Sequence, residues 1–190
     1  MTRRKRISEL ARPRERANIG AVPVPAFRSA DVRLAGCGIA VVVLAADQVS
    51  KSLVLAARPG PGNGPISVRL VRNTGASFGL GAGHPLVVLL VSLAVIAVVV
   101  WLMTRTPTAA IALLLAAVTG GAVGNVVDRL FRSPGPGRGA VIDWIHVAGY
   151  PASFNVADIA IRAGAIGAAA VMLGAGGRRW HWLSARRDTS

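Results

Sequence analysis

The stretch LVVLLVSLAVIAVVVWLM, residues 86–103, contains a single serine and no charged side chain. A helix needs about 20 mostly apolar residues to cross the hydrocarbon core of a bilayer, and this run approaches that length. Three further apolar runs cover residues 34–57, 108–127 and 156–174. The sequence therefore predicts an all-α membrane protein with four transmembrane helices.

The overall composition agrees with this class. The 190 residues are 53% hydrophobic and have a mean hydropathy of +0.53, which is too apolar for an ordinary soluble domain. The net charge of +14 is carried between and beyond the apolar runs, without interleaved aromatic residues or a known nucleic-acid motif. We therefore expect anionic membrane lipids to balance this positive charge, and we expect no nucleic-acid partner. Cys37 is the only cysteine, so an internal disulfide is excluded.

Charge also predicts the domain boundaries and the orientation. Residues 1–32 form a basic cytoplasmic arm expected to be disordered, residues 33–176 the four-span membrane domain, and residues 177–190 a basic cytoplasmic tail. Positive charge in the arm, at Arg105 and in the tail predicts that both termini are cytoplasmic. The loops 58–83 and 128–155 are then extracytoplasmic.

These two loops are rich in turn-forming residues. Proline and glycine dominate residues 59–65, and the chain then alternates through Ile66, Val68 and Leu70. This pattern predicts short strands, and hence a small extracytoplasmic β-rich region. The second loop has a Pro/Gly-rich segment at 133–139, which favours a mobile hairpin or flap.

Four acidic residues lie inside or beside the apolar runs: Asp47, Asp128, Asp143 and Asp158. An ionisable group in a membrane costs free energy, so each calls for a partner or a function. Asp158 opens the fourth run, where a helix N-terminus favours a carboxylate, and Asp143 precedes it in the outer loop. If the two carboxyls lie close together they share one proton, and such a pair can activate water.

Other interpretations of these acids remain open. Asp158 can be a helix cap and Asp143 a solvated loop acid. Asp128 is a rival member of the pair, although its neighbour Arg129 is expected to keep it ionised as a structural clamp. Asp47 and Lys51 are four residues apart in the favourable order for an ion pair on one helix face, which predicts a structural pair.

Five short motifs stand in order along the chain: DQVSK (47–51), NTGASF (73–78), GGAVGNVVDR (120–129), VIDW (141–144) and FNVAD (154–158). Together they closely resemble those of the bacterial lipoprotein signal peptidases, also called signal peptidase II. The resemblance covers about residues 34–174 and leaves out only the two basic ends. The arm is longer than that family's pattern requires, and Trp144 stands where phenylalanine is usual.

The resemblance implies a specific activity: an aspartic endopeptidase of the bacterial cytoplasmic membrane that removes the signal peptide from diacylglyceryl-modified prolipoproteins. It cuts before the lipid-bearing cysteine, with its active site toward the extracytoplasmic face. Asp143 and Asp158 are the implied catalytic residues. The implied substrate-binding or site-shaping residues are Asn73, Gly75, Asn125, Asp128, Arg129 and Asn155. No cofactor is expected, and the oligomeric state is left open, with a monomer compatible.

The remaining polar and small residues carry weaker signals. No His/Cys cluster has metal-ligand spacing, so we expect no metal site. Gly120, Gly121 and Gly124 predict close helix contact. Arg162 is either a carboxylate partner or a side chain that reaches out to the headgroups, and three histidines are interpreted as surface residues: His84, His146 and His181. A proton-coupled transporter and a non-catalytic assembly protein are the alternative functions, and the first predicts acids spread through the membrane depth.

Overall fold

The computed structural model describes residues 30–60, 62–76, 80–106 and 108–184, with side chains described as far as residue 174. The elements are α1 (Ala30–Ala57), β1 (Ile66–Asn73), α2 (Pro85–Arg105), α3 (Ala109–Phe131), β2 (Val141–Val147), β3 (Ser153–Phe154) and α4 (Val156–Ser184). Residues 1–29 of the predicted arm, residues 185–190 of the predicted tail and residues 77 and 78 of the NTGASF motif lie outside the described residues. Since α1 begins at Ala30, it starts within the predicted arm.

All four helices are long and apolar enough to cross a membrane, which confirms the predicted spans. Their outer faces expose large apolar side chains, including Leu34 (76% exposed), Leu90 (65%) and Leu173 (77%). Soluble monomers rarely expose large contiguous apolar surfaces, whereas lipid tails are as apolar as leucine and cover such a surface readily. We therefore interpret these faces as the lipid-facing surface.

Helix α3 lies at the centre of the bundle and contacts the other three helices. A Cβ atom added at Gly120 would lie 2.5 Å from the carbonyl oxygen of Ala40 in α1, and one at Gly121 would lie 2.6 Å from that of Ala157 in α4. Real Cβ atoms do not approach other atoms so closely, so only glycine lets these backbones meet. The predicted close helix contact at both glycines is confirmed.

The end of α3 differs from the prediction. The apolar run stops at residue 127, and the outer loop was expected to begin at Asp128, but the helix continues to Phe131. Asp128 and Arg129 are both buried and both find polar partners inside the bundle, so they need not leave the helix to reach water.

The two outer loops join in a three-stranded antiparallel sheet of order β1-β2-β3, which confirms the predicted β-rich region. β1 pairs with β2 from Ile66 opposite Val147 to Asn73 opposite Val141, with an irregularity between Val68 and Val71. Val71 lies opposite Asp143, so Asp143 and Asn73 stand at the same end of the sheet. The mobility of segment 133–139 stays a prediction.

Candidate active site

The four membrane-associated aspartates form two neighbouring groups. We call Asp143 on β2 and Asp158 in the first turn of α4 the carboxylate pair. The second group, which we call the charge cluster, contains two acids and two bases: Asp47 and Lys51 on α1, Asp128 on α3, and Arg132 directly after α3. The sequence motifs thus meet at one end of the bundle, at the sheet.

Asp158 is held by the local structure of the helix start. The backbone N–H of Asp158 donates to Asn155 Oδ1 at 2.9 Å, and the backbone N–H of Asn155 donates back to Asp158 Oδ2 at 3.4 Å. This is the reciprocal arrangement of a capping box, with Asn155 as the cap and Asp158 as the third helical residue. Asp158 therefore takes part in capping the helix, as one of the alternative interpretations expected, but it does so from the third helical position. Its Oδ1 remains available for other partners.

Neutral amides are the side-chain donors to the carboxylate pair. Asn155 Nδ2 donates to Asp143 Oδ1 at 2.7 Å, and Asn73 Nδ2 donates to Asp143 Oδ2 at 3.1 Å. Asn125 Nδ2 donates to Asp158 Oδ1 at 3.1 Å. Among the described residues, neither carboxyl forms a salt bridge. Hydrogen bonds therefore orient the two acids, while the positive charge of Arg129 acts on both from beyond salt-bridge distance.

The environment of Asp143 favours its protonated form. Burial, followed by the nearby charge of Asp158, raises the pKa of Asp143 from 3.8 to about 6, although hydrogen bonds from Asn73 and Asn155 act in the opposite direction. Asp143 is only 2% exposed, so water does little to stabilise its charge. A carboxyl with a pKa of about 6 is protonated in roughly half of the molecules near pH 6 and in roughly a tenth at pH 7, so it can exchange a proton within the pair.

Arg129 ties the loop after β1 to α3. Its Nη2 donates to the carbonyl oxygen of Gly75 at 2.8 Å, and its Nη1 donates to that of Asn125 at 3.0 Å. The N–H of Gly75 donates to Asn73 Oδ1 at 2.9 Å. Both backbone groups of Gly75 are thus engaged within the protein.

The charge cluster is densely paired, and three of its four side chains are fully buried. Lys51 Nζ lies 2.7 Å from Asp47 Oδ2 and 2.8 Å from Asp128 Oδ2, and the side chains of all three residues are 0% exposed. Arg132 Nε lies 2.6 Å from Asp128 Oδ1. The direct contacts with Asp128 come from Lys51 and Arg132, whereas Arg129, the expected cation, acts on it through its charge without a salt bridge.

Two backbone groups extend the charge cluster to neighbouring elements. Asp47 Oδ1 accepts the N–H of Ala157 at 3.0 Å, and Asp128 Oδ2 accepts the N–H of Ile142 at 3.1 Å. Ala157 directly precedes Asp158, and Ile142 directly precedes Asp143. The cluster therefore fixes the backbone next to each member of the carboxylate pair.

Both members of the pair line a cavity of about 760 Å³. Its polar wall includes Asn73, Asn125 and Arg129. Its apolar wall comes from three helices, through side chains that include Val91, Val95, Val118 and Ile161. The cavity thus offers apolar surface for a hydrophobic ligand next to a polar, acid-bearing wall.

Some residues lie in places that the sequence did not predict. His146 was expected on the surface, but it is half-buried and lines the cavity. Arg162 contacts the ring of Phe154 at 5.8 Å and the hydroxyl of Tyr150 at 3.4 Å, rather than a carboxylate. No group of His, Cys, Asp or Glu that could hold a metal ion is found within the described part of the chain.

Sequence reasoning missed two members of the polar network around the charge cluster. Gln48 Nε2 lies 3.1 Å from both Asp47 Oδ2 and Asp128 Oδ1, and Arg132 pairs with Asp128. Arg132 follows Asp128 by four residues, so the same spacing rule that pairs Asp47 with Lys51 identifies it once α3 is extended.

The chain is similar to known proteins over most of its length. A family profile described as signal peptidase (SPase) II matches residues 39–174. Lipoprotein signal peptidase of Mycobacterium bovis is 42% identical over 135 residues, which are 67% of this chain and 65% of that protein. The lipoprotein signal peptidase of Leifsonia xyli is 33% identical over 158 residues, which are 80% of this chain and 68% of that protein. The chain thus matches just under two thirds of the length of the M. bovis relative.

Solved structures show the same fold. One structure of a bacterial membrane enzyme superposes with a TM-score of 0.64 at 24% identity, and covers 79% of this chain and 92% of its own. A second gives a TM-score of 0.62 at 23% identity. With four membrane-spanning helices and a family match over most of its length, this chain is a multi-pass bacterial membrane protein that belongs to the signal peptidase II family.

Proposed function

We propose that this chain is an aspartic endopeptidase that removes the signal peptide from diacylglyceryl-modified prolipoproteins, cutting before the lipidated cysteine. The single observation that carries the proposal is the carboxylate pair: Asp143 is buried, and both carboxyls are oriented by amides and free of salt bridges among the described residues. The names of the curated relatives supply the substrate class.

The proposed mechanism divides two roles between the carboxyls. Asp143, whose pKa is raised to about 6, holds the proton and hydrogen-bonds the scissile carbonyl oxygen. Asp158 is the carboxylate that takes a proton from water as the water oxygen bonds to the carbonyl carbon. When the tetrahedral intermediate collapses, the C–N bond breaks and the leaving nitrogen receives a proton from the pair.

The cavity suits a substrate that arrives from the membrane. Apolar side chains from α2, α3 and α4 line it beside the two acids, so acyl chains or an apolar signal helix can contact these walls while the peptide bond approaches the pair. The remaining site residues act on this geometry: Asn73, Asn125 and Asn155 orient the carboxyls, Arg129 fixes the loop at Gly75, and Asp128 fixes the backbone before Asp143.

The distribution of positive charge supports an orientation with both termini in the cytoplasm of a bacterial cell. The sheet and the carboxylate pair then lie toward the extracytoplasmic side of the cytoplasmic membrane, where lipid-modified proproteins are presented.

Cleavage of a synthetic diacylglyceryl prolipoprotein by purified protein, followed by mass spectrometry of the products, tests this function. The same peptide with an unmodified cysteine is the matched control substrate. We expect one cut, before the modified cysteine, and a loss of about 10³-fold in Asp143→Asn and in Asp158→Asn, the scale of general acid–base catalysis. Asp128→Asn should keep partial activity, because Asp128 supports the site without contacting the reacting atoms.

Each possible failure has a definite meaning in this experiment. Folded Asp143→Asn with wild-type activity, together with inactive Asp128→Asn, would move the catalytic pair to Asp128. Failure of the folded wild type to cleave in every lipid tested would contradict the peptidase assignment itself.

A further inference from the structure

Asn125 joins the charge cluster to the carboxylate pair. Its Oδ1 accepts hydrogen bonds from Lys51 Nζ at 3.0 Å and from Asn155 Nδ2 at 3.2 Å. Its Nδ2 donates to Asp158 Oδ1 at 3.1 Å. One amide therefore contacts a buried ammonium group on one side and a proposed catalytic carboxylate on the other.

The orientation of the Asn125 amide decides whether a hydrogen-bond donor or an acceptor faces the Asp158 carboxylate. A primary amide can be turned over so that oxygen and nitrogen exchange places, and only the surrounding hydrogen bonds select one direction. The reversed amide would aim its oxygen at the Asp158 carboxylate and its NH₂ group at the ammonium of Lys51. Both contacts would then be repulsive, because lysine has donors only and a carboxylate has acceptors only.

Lys51 is itself held in one position. Its ammonium group has three donors, and these reach Asp47 Oδ2, Asp128 Oδ2 and Asn125 Oδ1 at 2.7, 2.8 and 3.0 Å. The acids that fix it lie on two different helices, α1 and α3, and no donor remains for another partner. The third donor is thus committed to Asn125.

Other charged groups near Asp158 do not replace this contact. Arg129 donates hydrogen bonds to the carbonyl oxygens of Gly75 and Asn125, and Arg162 stacks on Phe154. Asp143 bears the same sign of charge as Asp158. Among the described residues, Asn125 is the side-chain donor to Asp158, and the backbone of Asn155 is the other donor.

We propose that Lys51 is a positioning residue for catalysis: it holds the Asn125 amide with its NH₂ group toward Asp158, and so orients the carboxylate that activates water. This inference rests on the proposed peptidase function and adds to it a role beyond an ion pair with Asp47. Lys51 touches neither substrate nor the reacting atoms, so it acts entirely through Asn125.

The kinetic test uses variants that preserve the charge balance. Lys51→Met alone leaves two buried carboxylates with one cation and risks unfolding, so Asp47→Asn/Lys51→Met is the second variant, since it removes one charge of each sign. Its asparagine oxygen can still accept the Ala157 N–H. Because a charge-assisted hydrogen bond that orients a reacting group is lost, kcat of the folded protein should fall about tenfold or more with KM unchanged.

Arg132→Gln is the matched control. It removes the other cation of the charge cluster without touching Asn125, so we expect a lower melting temperature and an unchanged kcat per folded molecule. If Lys51 is merely structural, both variants will lose stability and neither will lose kcat, which would overturn the proposal.

A second readout is independent of activity. The side-chain NH₂ group of Asn125, assigned in a ¹⁵N spectrum by comparison with Asn125→Asp, should show one proton shifted downfield by its hydrogen bond to Asp158 in the wild type and in Arg132→Gln. That downfield shift should be lost in Asp47→Asn/Lys51→Met. A wild-type spectrum without a downfield-shifted Asn125 side-chain proton would overturn the proposal even if neither Lys51 variant folds. If the spectra are as predicted but the wild type cleaves no substrate, the peptidase function is refuted and the positioning of Asn125 by Lys51 stands.

Discussion

The charge cluster and the carboxylate pair contain the same kind of residue in nearly the same place, but with opposite surroundings. Asp47 and Asp128 are 0% exposed and contact Lys51, with Arg132 completing the balance of charge. Asp143 is 2% exposed and receives hydrogen bonds from the amides of Asn73 and Asn155. One group is neutralised by cations, whereas the other is only oriented.

This difference shows that buried aspartates in one membrane protein can serve either stability or proton exchange. Buried acids that meet cations in good geometry are stable as ions and bind helices together. A buried acid that meets only neutral donors and another acid keeps an affinity for protons near neutral pH, so it can exchange them. The surroundings of these aspartates, more than their depth in the fold, therefore distinguish the two groups.

The largest effect on stability is expected in the charge cluster. Asp128→Asn leaves Lys51 and Arg132 with one carboxylate between them, so we expect a loss of about 3–5 kcal/mol in the free energy of unfolding, the usual cost of breaking a buried ion pair. Reversible unfolding in detergent micelles measures it. A loss below about 1 kcal/mol, the scale of an exposed pair, would show that the cluster is not a structural clamp.

Removing a charge from the carboxylate pair should raise the free energy of unfolding, whereas removing one from the charge cluster should lower it. The folded-state pKa of Asp143 is raised from 3.8 to about 6, so its contribution to stability is fully present below pH 3.8 and is lost as pH rises through 6. Asp143→Asn cannot ionise and escapes this loss, so at pH 8 it should be more stable than the wild type by up to about 3 kcal/mol. At pH 4 the two should be nearly equal, and a destabilised Asp143→Asn at pH 8 would contradict the comparison.

A smaller loss of stability is expected at Gly124, where α3 packs closely against Asp47 of the charge cluster. A Cβ atom at Gly124 would lie 2.6 Å from Asp47 Oδ2, so Gly124→Ala must displace that carboxylate. We expect a loss of about 1–3 kcal/mol in the free energy of unfolding, typical of overpacking. Gly38→Ala is the matched control, since no atom lies within 4 Å of its added Cβ. Equal stability of the two alanine variants would show that Asp47 has room to move.

The spans were predictable from sequence because a bilayer imposes a length and a composition on each helix. The ion pair of Asp47 with Lys51 was predictable for a similar reason, since four residues place both on one helix face. The end of α3 was not, because its last turn is stabilised by Lys51 from another helix and by the backbone of Ile142. Periodicity within a segment carries no information about such distant partners.

The candidate site was only partly predictable. Motif order suggested that Asp143 and Asp158 approach each other, but the amides that separate them from the charge cluster became visible only in three dimensions. His146 was misplaced because a histidine next to turn residues resembles a surface residue, whereas pairing of β2 with both β1 and β3 leaves it half-buried. The catalytic roles themselves stay predictions.

The central claim is that the buried Asp143 keeps its proton up to about pH 6, well above the usual range of an aspartate. An infrared titration of the wild type against Asp143→Asn between pH 4 and pH 8 tests it most directly, because a protonated carboxyl has a carbonyl band that a carboxylate lacks. We predict a band that disappears in the wild type as pH rises through about 6 and has no counterpart in Asp143→Asn. A wild-type spectrum with no carboxyl band titrating between pH 5 and pH 7 would contradict the account.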